Sequence, residues 1–404
     1  MKKDARHAPP LDLQEQIERL RSEGGLEQLG TSQLLRMLLE SLFSAERAAY
    51  LERTEGDKGN GGYERGLDVG SLPVEVEVPR TRRGSFRPSS LPGPYQRGYD
   101  DAARHLLLHL AASGRSLNAT THALRDLGLS ASEPQLEAVA KHYITEFELR
   151  NSRPIDTDML ALYLDAKYVE VREGDRLRPY GVYVAVGLGR DGIKRALCAQ
   201  AIAGRESLEG WKAVLRSLIE RGLRNVMIVI HDDFPGLLNV TQGLFPRADV
   251  QLCIVHMQRN ARSHFGKAHA AEFNSRMRTI KGSWSEELAA AQFDDLCKQF
   301  TGHAPAFVAE LTKKRDHYLA FLAYPESLRR SFSTTNAVEA VNGQLEILRR
   351  NNGGYFHGED NIKAKLGMHL EQLENRRWRR VAASVHAALP QLNAMFVARF
   401  ESPG

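Results

Sequence analysis

The sequence predicts a multidomain α/β protein: an α/β core interrupted by an all-helical insertion and preceded by a region of helices and a β-hairpin. Three observations predict it. At 404 residues the chain exceeds the roughly 250 residues at which single cores stop growing, so two to four domains are expected. After Asn151-Ser-Arg-Pro the texture changes from helical periodicity to short apolar runs separated by turns. From Met257 to about Arg330 it returns to apolar residues at helical spacing.

The elements follow in order. Between Ser32 and Arg53, Leu34, Leu35, Leu38, Leu39, Leu42 and Phe43 recur at three- and four-residue intervals, the mark of an amphipathic helix. Gly56 to Gly70 carries six glycines and reads as a loop. Val74-Glu-Val-Glu-Val78 alternates as a half-buried strand does, and Thr81-Arg-Arg-Gly84 offers a hairpin turn before Ser85 and Phe86. Residues 1–95 are therefore expected to form a helix and a basic hairpin. In 96–155, Asp100 to Ala112 and Leu117 to Leu127 read as helices, and Ser130-Ala-Ser-Glu-Pro134 opens a third with capping residues and an early proline. Three short helices suit a helix-turn-helix-like DNA-binding domain; a plain helical linker is the alternative.

In 156–257, Leu160 to Arg172, Gly181 to Leu188 and Ile193 to Ile202 read as successive strands, Ser207 to Arg221 as a helix, and Val226 to Ile230 and Val250 to Val255 as buried strands. Three strands, helix, strand, helix, strand is the order of the ribonuclease-H-like fold, an order other α/β folds can share. Residues 258–330 form the helical insertion, with Ser283 to Phe300 and Ala304 to Phe321 its clearest pieces. Residues 331–404 complete the core through a helix from near Asn336 and end in an Arg-rich helical tail, Asn361 to Phe400.

The 42% apolar and 26% charged residues are ordinary for a soluble globular protein. No stretch approaches the ~20 apolar residues that span a bilayer, so no membrane association is expected. The basic N-terminus lacks the apolar run of an export signal, and the expected location is the cytoplasm. Cys198, Cys253 and Cys297 are too few and too far apart for a disulfide framework or a four-cysteine zinc site. Formal charge is +5 and the pI near 9.0. The excess is modest, but Arg80, Arg82 and Arg83, Arg349 and Arg350, and Arg376, Arg377, Arg379 and Arg380 form separate clusters. Such runs are often solvated faces; several in one basic chain favour a nucleic-acid partner.

Three carboxylates stand out. Asp165 lies within Leu162-Tyr-Leu-Asp-Ala-Lys-Tyr168, and a carboxylate amid an apolar strand must sit at its solvent end, be paired, or bind metal. Asp232 follows the run Met227-Ile-Val-Ile-His231, at the carboxyl end of a strand, where open α/β sheets place ligands. Its neighbour Asp233 is equally acidic, and spacing does not choose between them. Glu339 lies three residues after Asn336, either as the partner of a capping box or as a third ligand on the first turn of a helix. Three carboxylates can hold two Mg²⁺ or Mn²⁺ ions, hard cations suited to oxygen donors. Cys253 and His256 have the spacing of a zinc pair, but no second pair completes a tetrahedron; a buried cysteine and a polar histidine at a strand end are the plainer reading.

Along most of its length the chain resembles the Mutator-like transposases of bacterial insertion sequences. The resemblance is carried by Asn60-Gly-Gly-Tyr-Glu-Arg65, Val74-Glu-Val-Glu-Val-Pro-Arg80 with Gly84-Ser-Phe86, Leu164-Asp-Ala-Lys-Tyr-Val-Glu-Val171, and Arg205-Glu-Ser207 with Trp211. It continues through Arg221-Gly-Leu223, Asp232-Asp-Phe-Pro-Gly-Leu237, Cys253-Ile-Val-His256 with Arg259 and Asn260, and Thr334-Thr-Asn-Ala-Val-Glu-Ala-Val-Asn342. It implies a DNA transposase with a DDE triad on a ribonuclease-H-like core: Asp165, Asp232 and Glu339 as ligands of two Mg²⁺ or Mn²⁺ ions, with Cys253, His256, Asn336 and Asp233 in the neighbourhood. It implies double-stranded DNA as partner, both element terminal inverted repeats and target, with a homodimer to join two ends and association with the nucleoid when bound. Arg80, Arg82, Arg83, Arg259, Arg349, Arg350, Arg376, Arg377, Arg379 and Arg380 are the expected DNA contacts. The chain departs from the family in two places: Asp233 stands where Gly is common, and Asn60-Gly-Gly-Tyr63 replaces Asn-Gly-Tyr. A non-catalytic DNA-binding descendant and a nuclease without strand transfer are the rival functions.

Overall fold

The computed structural model describes residues 31–54, 56–69, 72–92, 133–155, 158–351 and 353–401, in two compact units divided between Val139 and Ala140. The expected helices at 100–112 and 117–127 lie outside the described residues.

In the first unit, helix α1 (Thr31–Arg53) packs on the antiparallel pair β1 (Gly59–Val69) and β2 (Leu72–Thr81). Phe43 from the helix meets Leu67, Val74, Val76 and Val78, all buried. The hairpin is therefore real, but its first strand is the glycine-rich stretch expected as a loop. Thr81-Arg-Arg-Gly84 is a turn that ends β2, closed by Gly84 N–H donating to the Thr81 carbonyl at 3.1 Å, rather than the hairpin's tip. Glycine hides the strand's period because four of its eleven positions carry no side chain.

The second unit is built on a five-stranded sheet: β3 (Met159–Glu173), β4 (Arg176–Gly189), β5 (Lys194–Ala203), β6 (Val226–His231) and β7 (Asp249–Leu252), in the order β5-β4-β3-β6-β7. β3, β4 and β5 form an antiparallel meander, and β6 and β7 add to β3 in parallel. Helices α3 (Leu208–Glu220) and α4 (Leu237–Leu244) supply the crossovers. Strand alternation sorts the core: Leu162, Leu164 and Val229 meet Trp211, Val214 and Leu218 of α3 on one face, while Ala161, Tyr163, Ile228 and Ile230 join the helices of the other.

Helix α2 (Glu133–Ser152) crosses the division between units. Its last turns dock on the core, where Arg150 pairs with Glu374 and Asn151 bonds the backbone of Ala199. Arg221, after α3, donates to the carbonyls of Arg150, Arg153 and Leu197 and so closes the base of the sheet.

Between β7 and the last part of the core come α5 (Ile254–Lys281), α6 (Glu286–Phe300), α7 (Pro305–Lys313), α8 (Arg315–Leu319), a 3₁₀ turn (Ala320–Ala323) and α9 (Glu326–Phe332). Phe265, Phe273, Phe293, Phe300 and Tyr318 are buried among them in a core continuous with the sheet's. The expected strand to Val255 stops at Leu252, because the chain turns at Cys253 and Ile254 opens α5. An apolar run of that length serves a buried strand and a buried helix start equally.

Helix α10 (Asn336–Asn351) then lies along β3, and α11 (Glu359–Gln372) packs behind it. Gly367 permits α11 to approach α2, since a Cβ there would stand 2.6 Å from the Tyr143 carbonyl oxygen. The expected continuous tail helix is broken: a π-helical turn, Leu373–Arg377, and a non-helical link precede α12 (Ala383–Phe400). Trp378 is buried within the basic cluster, while Arg376, Arg377, Arg379 and Arg380 are exposed around it. Among the described residues no helix is long and apolar enough to cross a membrane.

Candidate active site

The parallel pairing of β3 with β6 fixes the first two carboxylates. Tyr163 pairs with Ile230, so Asp165 and Asp232 each stand two residues beyond that pair, at the same level, where β6 has ended and β3 runs on. Asp165 is 5% exposed. Its Oδ2 accepts from Asn342 Nδ2 at 2.8 Å and its Oδ1 from the backbone N–H of Ala166 at 3.1 Å. His256 Nε2 lies 4.0 Å from Oδ1. Burial pushes the Asp165 carboxyl up to about 6, with His256 and Asn342 pulling the other way.

Asp232 carries more strain of this kind. Burial first, then the charges of Glu206 and Asp165, push its carboxyl up to about 7. Its Oδ1 is buried with no hydrogen-bond partner. The preceding His231 is wholly buried between the Asp232 carbonyl, 2.5 Å away, and Thr241 Oγ1, 3.1 Å away; burial lowers its pKa to about 4, so it is neutral and anchors the strand end.

Asp233 points elsewhere. Lys314 Nζ bonds both of its carboxylate oxygens at 2.8 Å, and Tyr318 Oη adds a contact at 3.4 Å. Spacing did not separate Asp232 from Asp233, and the resemblance implied Asp232; the lysine that engages Asp233 comes from α8's leading edge, 81 residues away.

Glu339 lies on the first turns of α10, which opens at Asn336 with Thr335 before it: the N–H groups of Val338 and Glu339 donate to the Thr335 carbonyl. The capping box expected from Asn336 and Glu339 is therefore not formed, because the helix starts one residue earlier than that motif requires. Asn336 instead lines a cavity of about 190 Å³ with Lys194, Arg377 and Arg380. The Glu339 carboxylate is turned onto Arg259, 3.4 Å away. Arg259 in turn reaches His256 Nε2 at 3.4 Å, so a polar chain runs from Asp165 through His256 and Arg259 to Glu339.

Cys253, at the turn before α5, is buried with Sγ 3.6 Å from Thr335 Oγ1, tying the start of α5 to the start of α10. His256 Nδ1 is buried without a partner. Two residues at the site carried no expectation from sequence: Asn342, the partner of Asp165, and Glu206. Both lie inside motifs singled out above, which was the available signal; their reach across the fold was not.

The donor set consists of carboxylate oxygens, which suit Mg²⁺ or Mn²⁺ over softer metals. The orphaned Asp232 Oδ1 and the two raised carboxyls fit a cation that would satisfy both. As the side chains stand, no three His, Cys, Asp or Glu groups among the described residues are close enough to hold an ion.

The basic residues are dispersed. Arg80 lies over the Tyr63 ring at 4.3 Å, in the first unit with exposed Arg82 and Arg83. Arg349 and Arg350 both pair with Glu346. Arg259 is 62% exposed at the mouth of the site.

A family model described as "Transposase, Mutator family" matches residues 9–380. Similar curated proteins include a probable transposase for an ISRM3-like insertion sequence element of Sinorhizobium fredii, 27% identical over 91% of this chain and 92% of the relative. Another is a probable insertion-sequence transposase of Corynebacterium diphtheriae, 29% identical over 74% of this chain and 87% of the relative. Among solved structures, the Drosophila P element transposase strand transfer complex gives a TM-score of 0.26 at 12% identity, over 72% of this chain and 85% of that one, a likeness too low to argue from.

Proposed function

The chain belongs to the Mutator family of transposases, and from that premise we propose that it cuts insertion-sequence ends and joins them to target DNA with Asp165, Asp232 and Glu339 as its catalytic carboxylates. The observation that carries the proposal is the level placement of Asp165 and Asp232 beyond the Tyr163–Ile230 pair, with Asp232 Oδ1 buried and unsatisfied. The sheet order, a three-stranded meander extended by two parallel strands, supports a ribonuclease-H-like core.

Asp165, Asp232 and, once released from Arg259, Glu339 would hold the Mg²⁺ or Mn²⁺ ions, two in number. Bound there, such ions supply an activated nucleophile and charge stabilisation at the phosphate. The chain's own residues do the positioning. Asn342 fixes Asp165 through Oδ2, and the buried end of β6 fixes Asp232. Arg259, exposed at the mouth, is placed to take a DNA phosphate, and in doing so it frees Glu339. Water, and then a DNA 3′-hydroxyl, attacks phosphorus while the bond to the departing 3′ oxygen breaks. The exposed arginines around Trp378 and in the first unit provide backbone contacts with duplex DNA; two ends held together call for a homodimer.

The test is a cleavage and joining assay on element-end duplex with Asp165→Asn, Asp232→Asn and Glu339→Gln. Each is expected to abolish product in Mg²⁺ while leaving DNA binding. Normal joining by any one removes that residue from the triad, and full wild-type activity in chelator removes the mechanism. Failure of joining with intact cleavage in the wild type favours a nuclease.

A further inference from the structure

The cavity of about 190 Å³ beside Asn336 is assembled from three parts of the second unit: Lys194 at the start of β5, Arg377 and Arg380 at and after the π-helical turn, and Asn336 and Ala340 on the first two turns of α10. Both joints between these parts are fixed. Gly192, in the turn before β5, adopts φ +78°, and a Cβ there would stand 2.9 Å from Val381 Cγ1. A positive φ and this close approach together require glycine. Glu374 anchors the π-helical turn: its Oε1 accepts from the Ala196 N–H of β5 at 2.9 Å, and its Oε2 pairs with Arg150. Three cationic side chains thus line one small cavity, and among the described residues none of Lys194, Arg377 and Arg380 has an ion pair or a side-chain hydrogen bond. The carboxylates nearest in sequence are taken, Glu374 as above and Asp191 by Arg195 and the Ile193 N–H. Burial, and then the Arg377 guanidinium, hold the Lys194 pKa below its ordinary value.

We propose that this cavity seats a phosphate group, held by Lys194 together with Arg377 and Arg380. Lysine and arginine only donate, and the Asn336 amide can donate as well, so the lining calls for a ligand rich in acceptors. Like charges gathered without a counter-charge disfavour one another, and an anion between them reverses the sign. A tetrahedral phosphate offers several oxygens at once, as one ammonium and two guanidinium groups require. The volume is below the roughly 300–1,000 Å³ of pockets that enclose whole ligands, which suits a phosphate group better than an entire nucleotide. The group arrives either free or on a DNA strand, and the second source rests on the function proposed above. On that source Lys194 joins the DNA contacts although it belongs to none of the arginine clusters of the sequence. The strand would then be held against the helix that carries Glu339, three residues beyond Asn336.

The test has two arms, both on the full chain in metal-free buffer. In the first, inorganic phosphate is titrated at constant ionic strength and thermal melting is followed. Wild type is expected to gain roughly 3–6 °C when phosphate stands about ten times above its dissociation constant. Phosphate also stabilises proteins generally by exclusion from their surfaces, so the reading is the difference from Lys194→Met and from Arg380→Gln. Both variants are expected to lose the gain, and Lys194→Met to melt no lower than wild type without phosphate. Arg379→Gln, which removes a neighbouring charge that does not line the cavity, is expected to keep the gain. In the second arm, the salt dependence of duplex DNA binding should flatten by about 0.9 in Lys194→Met, the mark of one lost phosphate contact. A lost gain with a flattened slope makes the strand the source; a lost gain with an unchanged slope makes it free phosphate. If wild type binds no duplex while the first arm holds, the proposed function fails and the phosphate seat stands. A gain that Lys194→Met and Arg380→Gln both share with wild type overturns the proposal, whatever the slope.

Discussion

Replacing Asp232 by Asn should stabilise the metal-free protein while abolishing its chemistry. The carboxyl is pushed up to about 7, chiefly by burial and then by Glu206 and Asp165. Below the ordinary carboxyl range near 4, folded and unfolded chains both hold the proton, and the folded state pays no penalty. As pH rises from there to about 7, the unfolded chain releases a proton that folded Asp232 keeps, so stability is lost across that window. A carboxyl moved from near 4 to about 7 corresponds to on the order of 4 kcal/mol. Because Asp165 and Glu206 share the effect, about 2 kcal/mol is expected from Asp232 alone, a rise of roughly 4–8 °C in melting midpoint for a unit of this size. The substitution breaks no bond at Oδ1, which has none. The assay is thermal melting in chelator at pH 5 and pH 8, repeated with Mg²⁺. Wild type should melt lower at pH 8 than at pH 5 and regain the difference with Mg²⁺, whereas Asp232→Asn should show little of either change. A variant that melts at or below wild type at pH 8 in chelator would refute the reasoning, because its carboxylate then carries no electrostatic cost.

Three further outcomes follow from the geometry. Asn342→Ala removes the 2.8 Å bond to Asp165 and should slow single-turnover cleavage about 10- to 100-fold at saturating DNA; an unchanged rate would show that Asp165 needs no such support. Lys314→Ala leaves the Asp233 carboxylate with the long Tyr318 contact alone, and urea unfolding should register a loss of about 1–3 kcal/mol with cleavage retained below the new midpoint. Abolished cleavage in a folded Lys314→Ala protein would return Asp233 to the catalytic set. Neutralising Arg376, Arg377, Arg379 and Arg380, all exposed, should weaken element-end and random duplex alike and flatten the salt dependence by about 0.9 per lost phosphate contact; an unchanged slope would make the cluster a solvated surface.

Much of the second unit could be read from apolar runs, because buried parallel strands leave a continuous signature and Val226 to Ile230 matches β6 to within a residue at its end. The same signature misled at Val250 to Val255, where a strand and a helix start share one apolar run. β1 was missed because its alternating positions include glycines, and only the register Gly66 to Glu75 and Leu67 to Val74 exposes it. Asp165 and Asp232 were visible as carboxylates in or after apolar runs. Asn342 was not, because its contribution lies in a contact made across the fold; nothing local says that an asparagine on a helix face will meet a strand aspartate. The bond that holds Asp233 to Lys314 was not legible either, because the two lie 81 residues apart and no local pattern pairs them.

The bond between Asn342 and Asp165 spans 177 residues of chain. A ribosome adding roughly 5–20 residues per second makes Asp165 on the order of ten seconds or more before the side chain that steadies it. Both strand aspartates, β6 and the helices that follow can thus be in place while α10 is still being synthesised. A chain interrupted before Asn336 keeps its arginines at 80–83 and lacks Glu339. On the function proposed above, the nascent polypeptide has the parts to touch a duplex well before it has the parts to sever one.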